Sequence, residues 1–582
     1  MALPIGEIEL EVVGREITGR PVPGRPRRPY SPYLRGLPAL LLASLLLVPI
    51  LVTTATAVRT PDGLGLGNFT VLGTEQARHA ILNSVAWIGV ALALVGFGFC
   101  VALVGQRVPA LWPLLHPVLI LPFAVSALVS GAAFRIIFDP APERGTVSAL
   151  LGDSPVWLGP GWFWVVLISA FIWTWLGYVT SLFRAGLDAI PDDLVRTVKA
   201  EGLRGWRRLL AVELPILRPI SGIVTLTLVV AAARVFDLVL ITVPGPMQDD
   251  ASVLALYWWR TSNAMPEPGP SAALALVLFA IVACVALCGM RGLRRSWAMP
   301  ASTIPQPARS TASPAHRRLG WTMGVLLGLS WLFPTLILVM TAFHTPRAAA
   351  LHGWWAPAGL GIESFTAAST AGLWQALLST LVIAGLATVL VRVVAVPMAY
   401  LLAWGGLAEW FGKVVVTVLV VLAVTPLPMY AEPLRDLFDL LGLTGSRISL
   451  ALVHAAAGLP FAVLLLRAAF ASAPPSLIAE TLRGEVRDSA VLTQVRQTYR
   501  PALIAVMVLE FVLVWNDFIV GLLISGPGST PLSLVLWGEA RQFATSAGTV
   551  AAAAVVMSVV PVALLLRFWP TVVRGLTVGT KP

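Results

Sequence analysis

Ionisable side chains inside long apolar stretches of this sequence include the candidates His116, Arg135, Arg234, Asp237, His454, Glu510 and Asp517. A charge at hydrocarbon depth is costly, so such groups mark cargo pathways, proton relays or buried pairs. Arg234 and Asp237 are three residues apart, the spacing of an ion pair on one helix face. Glu510 and Asp517 are seven apart and share a helix face, expected to turn toward the bundle or a wet cavity. His116 and His454 read as residues that hydrogen-bond between helices. The set is too sparse and uneven for a proton relay, and no catalytic constellation accompanies it. Cys100, Cys284 and Cys288 all fall in apolar runs. Cys284 and Cys288 would share a helix face, but all three read as small, packable residues. No disulfide framework or zinc spacing is present, and no metal site is expected.

A second set of residues could hold a polyhydroxylated ligand. The stretch "WTWLGYVTS", Trp173–Ser181, is dense in rings and hydroxyls. Sugar rings stack their C–H faces on aromatics while their hydroxyls need hydrogen bonds. Trp173 and Thr180 are two helical turns apart, hence on one face, with Gly177 between them leaving room for close approach. The competing reading is helix packing, in which Gly177 admits a neighbouring helix.

A third stretch, "VKAEGLRGWRRLLAVELPILRP" (Val198–Pro219), is polar and lies between two apolar runs. It suggests a short amphipathic helix, a break at Gly202, a second short helix, and Pro219 in the first turn of the next span. Leu203, Trp206, Leu209 and Leu210 share a face flanked by Arg204, Arg207 and Arg208. Such a helix could lie on anionic lipid headgroups or dock on a cytoplasmic partner.

The elements that must position these residues follow from composition. Of 582 residues, 57% are hydrophobic and 12% charged, so lipid must serve as solvent for much of the surface. The net charge of +11 sits between the apolar runs, which argues for membrane topology and against a nucleic-acid partner. Apolar stretches of spanning length predict an all-α protein with twelve membrane helices. The first six are 37–57, 82–104, 111–137, 161–184, 218–243 and 271–290; the second six are 319–342, 377–403, 411–431, 449–472, 501–525 and 545–568. The first is too long and too far from the start for a signal peptide and reads as a retained anchor. Arg residues crowd the leader, 1–36, and the segment after the sixth run, so both termini and the centre are expected in the cytoplasm. The Pro/Ser/Arg-rich segment 293–318 reads as a linker between domains 37–292 and 319–582. The two domains repeat: Gly202 precedes Pro219 by 17 residues, and Gly484 precedes Pro501 by 17, each in the cytoplasmic loop between fourth and fifth runs.

These loops resemble the EAA loop of ABC-importer permeases, in which a Gly is followed thirteen residues later by the Pro of a Leu-Pro pair. Gly202 and Pro215 match that spacing, while Arg196, Thr197 and Val198 stand where the family has Glu-Ala-Ala. In the second copy those places hold Ile478, Ala479 and Glu480, and Arg496 and Gln497 replace the Leu-Pro pair. "RVFDLVLITVPGP" (Arg234–Pro246) is similar to the first permease of maltose- and glycerol-phosphate-type sugar importers. "VWNDFIVGLL" (Val514–Leu523) and "VVRGLTVGTKP" (Val572–Pro582) are similar to the second. The resemblance implies both type I permeases fused in one plasma-membrane chain. It implies a coupling loop containing Arg196, Glu201, Gly202, Trp206, Arg207 and Pro215, with Gly484, Arg487 and Pro501 in the second copy. Matched position by position, the family's substrate contacts fall on Trp173, Leu176, Gly177 and Thr180, with Thr227 and Ala231 in the next span. No Gly-x-x-x-x-Gly-Lys-Ser/Thr phosphate loop is present. The implied partners are therefore ATP-hydrolysing subunits, expected as a dimer, and an extracytoplasmic solute-binding protein, with ATP used by the partner and no cofactor on this chain. Two rivals remain: an ABC permease for ferric iron or thiamine, and a twelve-span secondary transporter driven by protons or sodium.

Overall fold

The computed structural model describes residues 32–582 except 107–110, 153–154, 191, 202–204, 234, 266, 294–313, 405–406, 473–497 and 578–582. Most of the leader and linker, and Arg234 with its proposed pairing to Asp237, therefore lie outside the described residues. Helices are α1 (Pro32–Val58), α2 (Glu75–Gln106), α3 (Trp112–Ile120), α4 (Ala127–Ile137), α5 (Phe163–Asp188), α6 (Asp192–Ala200), α7 (Leu214–Ala233), α8 (Asp237–Thr242) and α9 (Pro268–Leu293). The second half gives α10 (Pro314–Ala342), α11 (Leu373–Trp404), α12 (Glu409–Val424), α13 (Arg447–Ala471), α14 (Arg500–Asn516), α15 (Ile519–Ile524) and α16 (Phe543–Thr577). The only sheet among the described residues is a two-stranded hairpin, Arg59–Thr60 with Gly63–Leu64.

All twelve apolar stretches contain helix, but not as twelve uninterrupted spans. Among the described residues eight helices are long and apolar enough to cross a membrane, and up to ten crossings result if each of two bent pairs counts as one. The stretch 111–137 divides into α3 and α4, whose axes bend by 105°. Pro122 sits in the intervening 3-10 turn. Ser126, with extended backbone, caps α4 by accepting a hydrogen bond from the Val129 amide at 3.2 Å. A short hydroxyl side chain at that place satisfies one of the donors a helix start leaves free. The stretch 218–243 stops at Ala233 and resumes as α8, and 501–525 stops at Asn516 and resumes as α15. Glu409–Val424 ends before Thr425 and Pro426, since the residue before a proline is driven from helical to extended backbone. Breaks thus fall at corresponding places in the two halves. Composition measures apolar length and is blind to them.

The packing is reciprocal. In the first half α2 lies against α5 and α7; in the second, α11 lies against α13 and α14. Each half's first helix reaches across: α1 packs on α11 and α13, and α10 packs on α3 and α4. Each also touches the last helix of its own half, α1 on α9 and α10 on α16. Between the halves, the Asn516 amide donates to the Ala124 carbonyl at 2.7 Å. The Trp569 indole donates to His116 Nε2 at 2.8 Å, so His116 joins two helices as the sequence reading has it. Outside the long helices, Trp354 Nε1 donates to Thr146 Oγ1 at 3.0 Å and Arg144 to the Ala350 carbonyl at 3.2 Å.

Candidate functional site

The helix breaks meet near the centre of the molecule. The rings of Phe236, before α8, and Phe518, before α15, stack at 6.2 Å. Both residues are buried, so the halves touch here through apolar surface. Asp237 and Asp517 flank that contact. Asp517 has extended backbone at the end of α14, and its Oδ2 accepts the Val520 amide at 2.9 Å, capping α15. An acidic residue at a broken helix therefore has a structural task as well as a charge.

Beside this contact lies a cavity of about 280 Å³. Thr425 and Tyr430 line it from the break after α12, His454, Ala457 and Gly458 from α13, and Glu510 and Leu513 from α14. Asp237 and Asp517 also line it, and Leu46 of α1 and Leu278 of α9 contribute from the first half. His454, expected to bridge two helices, borders the cavity with its Nε2 3.9 Å from Asp517 Oδ2 at the end of α14. Glu510 and Asp517 share the face facing this space, as their spacing predicts. Among the described residues no group of three His, Cys, Asp or Glu could hold a metal ion.

The residues assigned to substrate contact lie elsewhere. Trp173 is 3% exposed and its Nε1 donates to the Trp331 carbonyl at 2.8 Å. Leu176 is buried. A Cβ on Gly177 would overlap the carbonyl of Leu119, so the glycine lets α5 pass the backbone at the end of α3. Thr180 is buried and donates to the Gly98 carbonyl at 3.4 Å. Thr227 is half-buried and hydrogen-bonds Tyr178; Ala231 is half-buried on α7. None of the six lines the cavity. The cavity wall instead holds His454, Glu510, Asp237 and Asp517, which the sequence marks as ionisable groups in apolar stretches; Thr425 and Tyr430 carried no comparable signal.

Of the loop residues, Arg196 on α6 and Glu201 just after it are exposed, as is Arg207 on the helical turn Gly205–Arg208. Trp206 lies on that turn too. The break expected at Gly202 falls outside the described residues, as do Gly484 and Arg487. Arg208 pairs with Glu213 at 2.7 Å, bracing a π turn at Leu209–Glu213. Pro219 was expected in the first turn of the next span. Instead α7 starts at Leu214, Pro215 takes that turn, and the axis bends by 64° at Pro219, where a ring without an N–H breaks the ladder. Pro501 does occupy the first turn of α14.

With this geometry in place, comparison with known proteins adds the following. Residues 22–293 match the family described as the binding-protein-dependent transport system inner membrane component. The alpha-glucoside transport system permease protein AglF of Rhizobium meliloti is 25% identical over 280 residues, 45% of this chain and 82% of that one. The trehalose/maltose transport system permease protein MalF of Thermococcus litoralis is 25% identical over 229 residues, 38% of this chain and 76% of that one. The sn-glycerol-3-phosphate transport system permease protein UgpA of Agrobacterium fabrum is 26% identical over 226 residues, 38% and 76%. Among solved structures, a chain of a bacterial ABC transporter involved in the import of the acidic polysaccharide alginate covers 50% of this chain and 99% of that one, at 19% identity and a TM-score of 0.40. Residues 22–293, a little under half of this multi-pass membrane chain, are thus similar to the binding-protein-dependent transport system inner membrane components.

Proposed function

We propose that the chain forms the translocation pathway of an ABC importer for a sugar or polyol, with both permease halves in one polypeptide. The observation that carries this reading is the pairing of a first half that matches the permease family with a second half that repeats its helix order and breaks. Reciprocal exchange of α1 and α10 makes the two halves one unit. Carbohydrate cargo is supported by the relatives, two of which carry alpha-glucoside or trehalose/maltose in their names. Another relative is named for sn-glycerol-3-phosphate, so kinship leaves the charge of the cargo open.

In this reading ATP is hydrolysed by separate cytoplasmic subunits. They dock on Arg196, Glu201, Gly202, Trp206, Arg207 and Pro215, with Gly484, Arg487 and Pro501 as the second contact. The exposed Arg196, Glu201 and Arg207 support this. The loop, both termini and the linker face the cytoplasm, and a solute-binding protein delivers cargo from outside. The domain division at 37–292, 293–318 and 319–582 follows from the same reading. A secondary transporter is disfavoured by the family match, since ion-driven exchange needs no docking loop. The test is purification of the tagged full chain from its native membrane. An ATP-hydrolysing subunit should accompany it and leave on Arg207→Glu; a chain that arrives alone and still accumulates solute in energised vesicles would overturn the proposal.

A further inference from the structure

We infer that the two halves are hinged asymmetrically: they turn about the seam where α10 and α16 meet α3 and α4, and they part along the seam where α1 and α9 meet α11, α12 and α13. This rests on the permease reading, in which the halves must change their mutual angle in each cycle.

The first seam is bonded from the outer face inward. At the outer face hydrogen bonds join residues 143–146 of the first half to 350–354 of the second, among them the Gly353 amide to the Glu143 carbonyl at 2.7 Å. Farther in, the buried Trp173 indole of α5 donates to the Trp331 carbonyl of α10 at 2.8 Å. Beside it the Asn516 amide donates to the Ala124 carbonyl at 2.7 Å. Toward the far end of α16, the buried Trp569 indole donates to His116 Nε2 at 2.8 Å. Within a bilayer a parted polar pair finds no water, so donor and acceptor both go unsatisfied. A seam bonded in this way keeps its register while the rest of the molecule moves.

The second seam is built on apolar surface. Ala39, Leu42, Ala43 and Leu46 of α1 are buried, and α1 packs on α11 and α13. A Cβ on Gly36 would stand 3.1 Å from Met398 Sδ of α11. The other flank of α1 is open, with Leu41, Val48 and Leu51 exposed, so lipid lies beside this seam. Lipid chains are as apolar as the side chains they replace, and parting such faces costs little. At the outer end of the seam the Ser271 hydroxyl of α9 lies 3.2 Å from Glu432 Oε2, on the short helix Ala431–Leu440. The same hydroxyl lies 3.0 Å from the Pro268 carbonyl, so its one proton is shared between two acceptors. Glu432 Oε1 is buried with no hydrogen-bond partner among the described residues. One seam is held by buried donors; the other is free to open.

The test needs no knowledge of the cargo. Glu143→Cys with His352→Cys, both exposed, bridges the first seam, and Ser271→Cys with Glu432→Cys bridges the second. Cys100, Cys284 and Cys288 are replaced by Ser in both full chains, which are purified with their partners from the native membrane. Each pair is linked with the shortest cleavable bis-methanethiosulfonate, and linkage is measured by mass spectrometry of the joined peptides. ATP hydrolysis is timed before linking, after it, and after dithiothreitol has cut the bridge. The cysteine-free chain given the same reagent is the reference. Should the second pair fail to assemble, Glu267→Cys with Asp436→Cys takes its place, both exposed and about one helical turn from Ser271 and Glu432. The first bridge should change hydrolysis by less than about twofold, and the second should lower it about tenfold or more until it is cut. Equal loss from both bridges, a larger loss from the first, or no loss from the second overturns the inference. Such a failure leaves the ATP-hydrolysing subunit bound and the permease reading standing, whereas a complex without that subunit ends both.

Discussion

Two helical glycines, Gly177 on α5 and Gly458 on α13, should respond to the same substitution in opposite ways. At Gly177 a Cβ would overlap the carbonyl oxygen and carbon of Leu119, and it would stand 2.9 Å from the Ile120 nitrogen. All three are backbone atoms at the sharp turn that ends α3, so they cannot rotate aside. Forcing a methyl into such a contact costs about 1–3 kcal/mol. Replacing a helical glycine by alanine returns up to about 1 kcal/mol. Gly177→Ala should therefore lose roughly 1–2 kcal/mol net, about a tenfold shift toward unfolding at each 1.4 kcal/mol. At Gly458 the atoms nearest the same Cβ are those of the Glu510 carboxylate, the far end of a side chain beside an open cavity. That group can swing away, so Gly458→Ala should keep or slightly raise stability while moving Glu510 and lowering uptake. Gly96→Ala on α2, where nothing lies within 4 Å, supplies the baseline for the helix gain. The assay is thermal unfolding of purified full chain in one detergent at one scan rate, beside solute uptake in cells. If Gly177→Ala melts at or above Gly96→Ala, the close approach of α5 to α3 is wrong. If Gly458→Ala melts as low as Gly177→Ala, the cavity wall at Gly458 is packed solid and the expected contrast fails.

Further expectations follow from single contacts. Trp173→Phe removes the donor to the Trp331 carbonyl and should cost about 0.5–1.5 kcal/mol in the same melting assay, with transport per folded molecule unchanged. A drop in transport without a drop in stability would instead give Trp173 a place on the cargo path. Gly202→Pro or Arg207→Glu should lower ATPase docking more than Gly484→Pro or Arg487→Glu in the second loop, since the first loop keeps the Leu-Pro spacing. Equal loss from both loops, measured by pull-down, would refute that asymmetry. Ser310→Cys in the linker should be labelled by impermeant maleimide only in inside-out vesicles, and labelling of intact cells would reverse the topology.

Sequence alone determined what depends on composition and repetition. Twelve apolar stretches announced helices because every backbone polar group in lipid must be paired within the chain, and the helix satisfies that locally. The repeat of Gly202–Pro219 at Gly484–Pro501 announced two related halves, and the spacing of Glu510 and Asp517 put them on one face. What sequence could not decide is where a helix stops being continuous and where packing leaves space. The turn between α3 and α4 holds Pro122 and the Ser126 cap, and its Ala124 carbonyl accepts from Asn516 of the other half, 392 residues away in the chain. Trp173 and Thr180 carry suitable chemistry, but α10 and α2 reach their polar atoms first. Space for a ligand is what remains after every helix has packed, so its place at His454, Gly458 and Glu510 belongs to the tertiary structure.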